Sequence, residues 1–104
     1  MNLNDLRDAI YADAVAHGLW EDAFVFPTEC QAMIENEADE LYEAATHWEN
    51  DGVDRGDPDE HFTEELADVI IISLSVAGYL GIDIDAAVRR KMEINKARPW
   101  KHGK

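Results

Sequence analysis

Apolar residues recur along this chain at the three- and four-residue steps of an amphipathic helix, in four stretches separated by glycine, proline and acidic residues. In the first, Leu3, Leu6, Ile10 and Ala14 share a face; Asn2 or Asn4 can cap it, and Gly18 stops it. The second follows Cys30, Met33, Ile34, Glu37, Leu41, Ala44, Ala45 and Trp48 as far as Gly52, with Thr28 as the expected N-cap and Gln31 completing a capping box. The third starts near Asp57-Pro58 or at Thr63, is apolar nearly all round from Val69 onward, and ends at Gly81. Asp83 is expected to cap the fourth, which carries Ile84, Ala87, Val88 and Met92 and stops near Arg98, ahead of Pro99.

These periods predict an all-α fold in a single domain over residues 1–104. A third helix that is apolar on every side must be covered on more than one side, and three other short helices cover it poorly. A second subunit is therefore expected. Between the first two helices lies an aromatic-rich segment, residues 19–27. It reads either as a loop packed over the core or as a place where Trp20, with Phe24 second, lines a pocket for a flat base.

Acidic residues sharpen the picture. Glu65 and Asp68 stand three residues apart where the third helix becomes apolar, and Glu37 and Glu40 repeat that spacing on the second. Residues at i and i+3 of a helix share a face, separated by roughly 4.5 Å along the axis, so paired carboxylates repel unless a cation lies between them. Acids in opening helical turns are also favoured by the helix dipole and by solubility. Two pairs on two helices, however, make a four-carboxylate set suited to a hard divalent cation such as Mg²⁺ or Mn²⁺. Glu37 lies on the apolar stripe itself, where its burial demands a partner from elsewhere in the fold. Glu35, Asp39 and Glu43 fall on other faces and read as solvated charge.

The net charge of −14 argues against a nucleic-acid surface over most of the chain. Residues 1–88 hold 22 of the 23 acids against Arg7 and Arg55, a net −20, whereas residues 89–104 carry a net +6. An acidic, cation-binding body with a basic end suits a small phosphorylated ligand that arrives with its metal. The bases of the fourth helix also complement its dipole, which is the role expected of Arg89 and Arg90. Cys30 is the sole cysteine, so there is no internal disulfide and no cysteine-based zinc site; it reads as a small buried hydrophobe. The apolar run from Val69 is too short, and too interrupted by serine and glycine, to span a bilayer, and no apolar leader precedes it. A cytoplasmic protein is expected.

Three segments together resemble a known family: Glu37-Ala38-Asp39-Glu40, then Glu64-Glu65-Leu66-Ala67-Asp68, then Lys91-Met92-Glu93-Ile94-Asn95-Lys96-Ala97-Arg98-Pro99-Trp100 and its basic ending. The ordered set is similar to the MazG-like nucleotide pyrophosphohydrolases, of the all-α NTP pyrophosphatase superfamily. The resemblance implies a bundle of four to five helices completed by dimerisation or tetramerisation. It also implies Mg²⁺, or Mn²⁺, bound by Glu37, Glu40, Glu65 and Asp68 as the catalytic set. The implied reaction is hydrolysis of a nucleoside triphosphate between the α and β phosphates, releasing the monophosphate and pyrophosphate, as in housecleaning of nucleotide pools. By motif, Lys91 and Asn95 would contact the nucleotide, with Arg98 a further candidate and Trp20 a candidate for the base. Two other readings stand beside this one. A phosphoribosyl-ATP pyrophosphohydrolase would share the metal site, although the ending Arg98-Pro99-Trp100-Lys101-His102-Gly103-Lys104 looks less like that branch. A non-catalytic helical regulatory or partner-binding module would use the same acids as surface charge only.

Overall fold

The computed structural model describes residues 2–21 and 24–99. Asp22 and Ala23 of the aromatic segment, and the expected basic ending from Trp100 to Lys104, lie outside the described residues. Four helices make up the fold: α1 (Leu3–Ala16), α2 (Pro27–Asp51), α3 (Glu60–Leu80) and α4 (Ile84–Lys96). Among the described residues there is no strand, as the periodicity predicts.

Local chemistry sets each boundary. Asn2 caps α1, accepting from the Asp5 amide at 3.0 Å while Asp5 accepts from the Asn2 amide at 3.1 Å. Asn4 is used elsewhere. The start of α2 corrects the expectation of a Thr28 cap: Phe26 is the N-cap residue, Pro27 occupies the first helical position and the Glu29 side chain accepts from the Phe26 amide at 3.0 Å. Proline already has helical φ and no N–H to satisfy, so the helix begins ahead of Thr28. The start of α3 lies between the two expected points. Asp59 is the cap and accepts from the Phe62 amide at 2.9 Å, so Pro58 precedes the helix and Thr63 lies within it. Gly81 ends α3 in the left-handed region, with φ +69°, and Asp83 caps α4 as expected. The helical pattern of α4 closes at Lys96, short of Arg98.

α3 is the central element. α2 packs on one side of it and α1 on another, while α4 turns away at 114° to α3 and packs chiefly against α1. Trp48 of α2 meets Phe62 of α3 with ring centroids 5.2 Å apart, and Glu37 lies beside Asp68, so the two helices run antiparallel. At the α1–α3 contact, a Cβ placed on Gly78 would come within 2.7 Å of the Tyr11 Cβ. Only glycine permits that approach. The aromatic segment closes over this end: Trp20 stacks on Tyr79 at 4.3 Å, and the Val25 amide donates to the Tyr79 hydroxyl at 2.7 Å.

A second clasp ties α1 to α4. Asn4 donates to Asp83 at 2.8 Å, the Leu3 amide donates to Asp85 at 3.0 Å, and Arg7 donates to the Ile82 carbonyl at 2.7 Å. Arg89 is paired with Asp85 at 2.8 Å, one turn back along its own helix. It thus serves that ion pair, not the helix C-terminus expected from the sequence.

The buried core is small: Cys30, Ala44, Leu74, Val76 and Ala77, with Ser75 among them. Leu66 and Ile70 on α3 and Met92 on α4 remain exposed, Ile70 at 51% and Met92 at 55%. The radius of gyration is 16.1 Å, against about 13 Å for a compact domain of this length. A large share of the apolar surface on α3 and α4 is therefore uncovered within one chain. No single helix among the described residues is long and apolar enough to cross a membrane.

Candidate metal centre and its pocket

Antiparallel packing of α2 on α3 brings the two acidic pairs together. Glu37, Glu65 and Asp68 each present a carboxylate oxygen within 4.8 Å of the others. Two unit charges at that spacing repel by roughly 3 kcal/mol in an effective dielectric of about 20. Three full charges so close repel one another, a cost that a bound cation relieves. Burial, above all, pushes the Glu37 carboxyl above the usual glutamate range, and Glu40, Asp68 and Glu65 push it further.

The fourth acid takes a different place. Glu40 is exposed and lies outside the tight group. It is still one of the neighbours that raise the Glu37 pKa.

Glu65 is confined, with its side chain 16% exposed. Its Oε1 lies 3.4 Å from His61 Nε2, while its Oε2 is buried with no hydrogen-bond partner among the described residues. A buried carboxylate oxygen without a donor is costly, and a cation bound there would satisfy it. The donor set is all oxygen, which fits Mg²⁺ or Mn²⁺. Sequence reasoning passed over His61; its only signal was the i, i+4 spacing ahead of Glu65.

Next to this centre, α1 and α3 enclose a cavity of about 330 Å³. Ile10, Leu19, Ile71 and Ile72 form apolar walls, and Glu37 and Asp68 stand at its edge. Such a volume lies at the lower end of the range for small-molecule sites. Trp20 is held in an aromatic layer with Tyr79 and Tyr11, and its indole N–H donates to Ser75 Oγ at 2.8 Å.

The α4 residues stand apart within one chain. Lys91 and Arg98 are exposed and Asn95 is half-buried. No ion pair among the described residues joins a base of α4 to any of the four acids.

Comparison with known proteins adds to this geometry. A family model described as the MazG-like family matches residues 29–104. A protein of Cyanophage S-2L named dATP/dGTP diphosphohydrolase is 48% identical over 40 residues, which cover 38% of this chain and 38% of that relative. No solved structure gives a significant match.

Proposed function

The chain belongs to the MazG-like family, and from that premise we propose that it is a divalent-cation-dependent nucleoside triphosphate pyrophosphohydrolase, cleaving the α–β phosphoanhydride to a monophosphate and pyrophosphate. The observation that carries this reading is the convergence of Glu37, Glu65 and Asp68, with a buried Glu65 Oε2 that has no hydrogen-bond partner among the described residues. Glu37, Glu65 and Asp68, with Glu40 beside them, would hold Mg²⁺ or Mn²⁺. When bound, the cation neutralises phosphate oxygens and makes water a stronger nucleophile.

The chain's own groups supply the rest. The apolar α1–α3 pocket takes the nucleoside and sets its phosphates against the carboxylates. Water oxygen bonds to the α phosphorus, the bond to the α–β bridging oxygen breaks, and pyrophosphate leaves. A carboxylate oxygen not engaged with the cation accepts the water proton, a role we assign to exposed Glu40. The setting proposed is the nucleotide pool of the cytoplasm.

We further propose a homodimer or homotetramer. Exposed Leu66, Ile70 and Met92 support it, as does the charge contrast between the acidic body and basic α4. In such an assembly, Lys91, Asn95 and Arg98 of one protomer would approach the carboxylates of another and meet the phosphates. Light scattering at micromolar concentration should return twice or four times the 11.7 kDa chain mass. A value near the chain mass would remove this part of the reading.

The activity is tested by incubating the protein with Mg²⁺ and a panel of ribo- and deoxynucleoside triphosphates, together with phosphoribosyl-ATP. Monophosphate and pyrophosphate should appear in equal amounts. Diphosphate with orthophosphate would place attack at the γ phosphorus and contradict the proposal. No product from any substrate would favour a non-catalytic helical module.

A further inference from the structure

The two oxygens of one carboxyl group meet different surroundings near the start of α3. Glu65 Oε1 lies 3.4 Å from His61 Nε2, whereas Oε2 is buried with no hydrogen-bond partner among the described residues. Helix geometry makes this pair. Residues 61 and 65 are one turn apart, and a helical side chain leans toward the N-terminus, so Glu65 reaches back over His61. The turn that carries His61 is itself pinned. Asp59 accepts from the Phe62 amide at 2.9 Å, Thr63 Oγ donates to the Asp59 carbonyl at 2.8 Å, and the Phe62 ring packs against Trp48 of α2. The imidazole thus projects from a fixed backbone, and its side chain, 59% exposed, has room to close the small gap to a hydrogen bond. A partly exposed pair at this spacing adds little to stability. Its consequence lies in what it does to the other oxygen.

We propose that His61 is a positioning residue for the metal centre: its Nε2–H holds Glu65 Oε1, so that Oε2 alone binds the cation shared with Glu37 and Asp68. The inference rests on those three acids holding a divalent cation, as proposed above. A ligand that gives one oxygen suits Mg²⁺, which is small and demands near-octahedral angles. Ca²⁺ is larger, takes more ligands and accepts a carboxylate through both oxygens. By occupying Oε1, His61 sets the preference of the centre for Mg²⁺ over Ca²⁺. The role asks for an N–H at the right reach and not for a charge on the ring.

Calorimetric titration of the chelator-treated protein with MgCl₂ and, separately, with CaCl₂ tests this with no nucleotide present. His61→Ala should weaken Mg²⁺ binding about tenfold or more, the usual cost of losing the outer partner of a metal ligand. Its Ca²⁺ affinity should stay level or rise, because the released Oε1 can join Oε2 on the larger ion. His61→Gln carries a neutral amide N–H of similar reach, and it should restore both the Mg²⁺ affinity and the Mg²⁺ to Ca²⁺ ratio. A merely structural part for His61 would lower the two affinities together. That result, an unchanged Mg²⁺ affinity in His61→Ala, or a His61→Gln protein that behaves like His61→Ala, would overturn the role. Failure of the proposed nucleotide cleavage leaves these titrations standing, whereas an unaltered protein that binds neither cation removes the metal centre and this role together.

Discussion

Glu65→Gln should lower pyrophosphate release by about 10³-fold, since cation-borne charge stabilisation is worth several kcal/mol and each ~1.4 kcal/mol is a factor of ten. The same substitution should raise the melting temperature of the cation-free protein. It keeps the shape of the side chain while removing one charge from the group formed with Glu37 and Asp68. Mg²⁺ should raise the melting temperature of the parent by mass action and leave that of the variant nearly unmoved. Rate and cation-free stability thus move in opposite directions, which general damage to the fold does not produce. An unchanged response to Mg²⁺ in Glu65→Gln would mean that the ion binds elsewhere.

The pH dependence of this group has a definite sign. The folded-state pKa of Glu37 is raised above its ordinary 4.5, first by burial and then by neighbouring carboxyls. The folded chain therefore keeps a proton that the unfolded chain releases. The resulting stability is fully present below the ordinary value and is lost as pH rises through the raised one. Asp83 and Asp85 act in the opposite sense. Hydrogen bonds from Asn4 to Asp83 and from Arg89 to Asp85 hold them below the usual range, so their contribution is lost as pH falls through those lowered values. Melting Glu37→Gln and the parent side by side in chelator separates the two effects. The difference in favour of the variant should grow as pH rises from about 4.5.

Gly78→Ala should destabilise the chain although alanine is the better helix former. The new methyl would lie 2.7 Å from the Cβ and 2.8 Å from the Cγ of Tyr11. These atoms are at the base of the side chain, so rotating the ring does not clear them and α1 itself must shift. Overpacking of this kind costs roughly 1–3 kcal/mol, offset by about 1 kcal/mol of helix propensity. A net loss of up to about 2 kcal/mol should lower the melting temperature by up to roughly 15 °C. Because α1 also forms a wall of the pocket, KM for the nucleotide should rise while the affinity for Mg²⁺ alone, held by α2 and α3, should not. A melting temperature equal to or above the parent's would show that α1 yields freely at this contact.

Much of this architecture was legible because the signals were local. Gly81 followed by Asp83 marks a stop and a start whatever surrounds them, and the two i, i+3 acidic pairs announce shared faces. The start of α2 was misread because Thr28 and Gln31 matched a capping box, while Pro27 had already fixed the first helical residue. Asp59 is the third aspartate in the run from Asp54, and only the folded turn selects it as the cap. The separation of Glu40 from the other three acids depends on how α2 is rotated against α3. The placement of Ser75 depends on an indole 55 positions away in sequence. Pairwise tertiary facts of that kind leave no trace in a local pattern.

The clasp between the first turns of α1 and α4 makes the chain topologically a ring. Its hydrogen bonds join residues 79, 82 and 75 positions apart. Closing a loop of that length costs little more than closing one half as long. It does require α1 and the start of α4 to be brought together across the whole of α2 and α3. They are also the contacts whose loss would free α4 while α2 and α3 stay joined, so the basic helix and the acidic centre are held by separate sets of contacts.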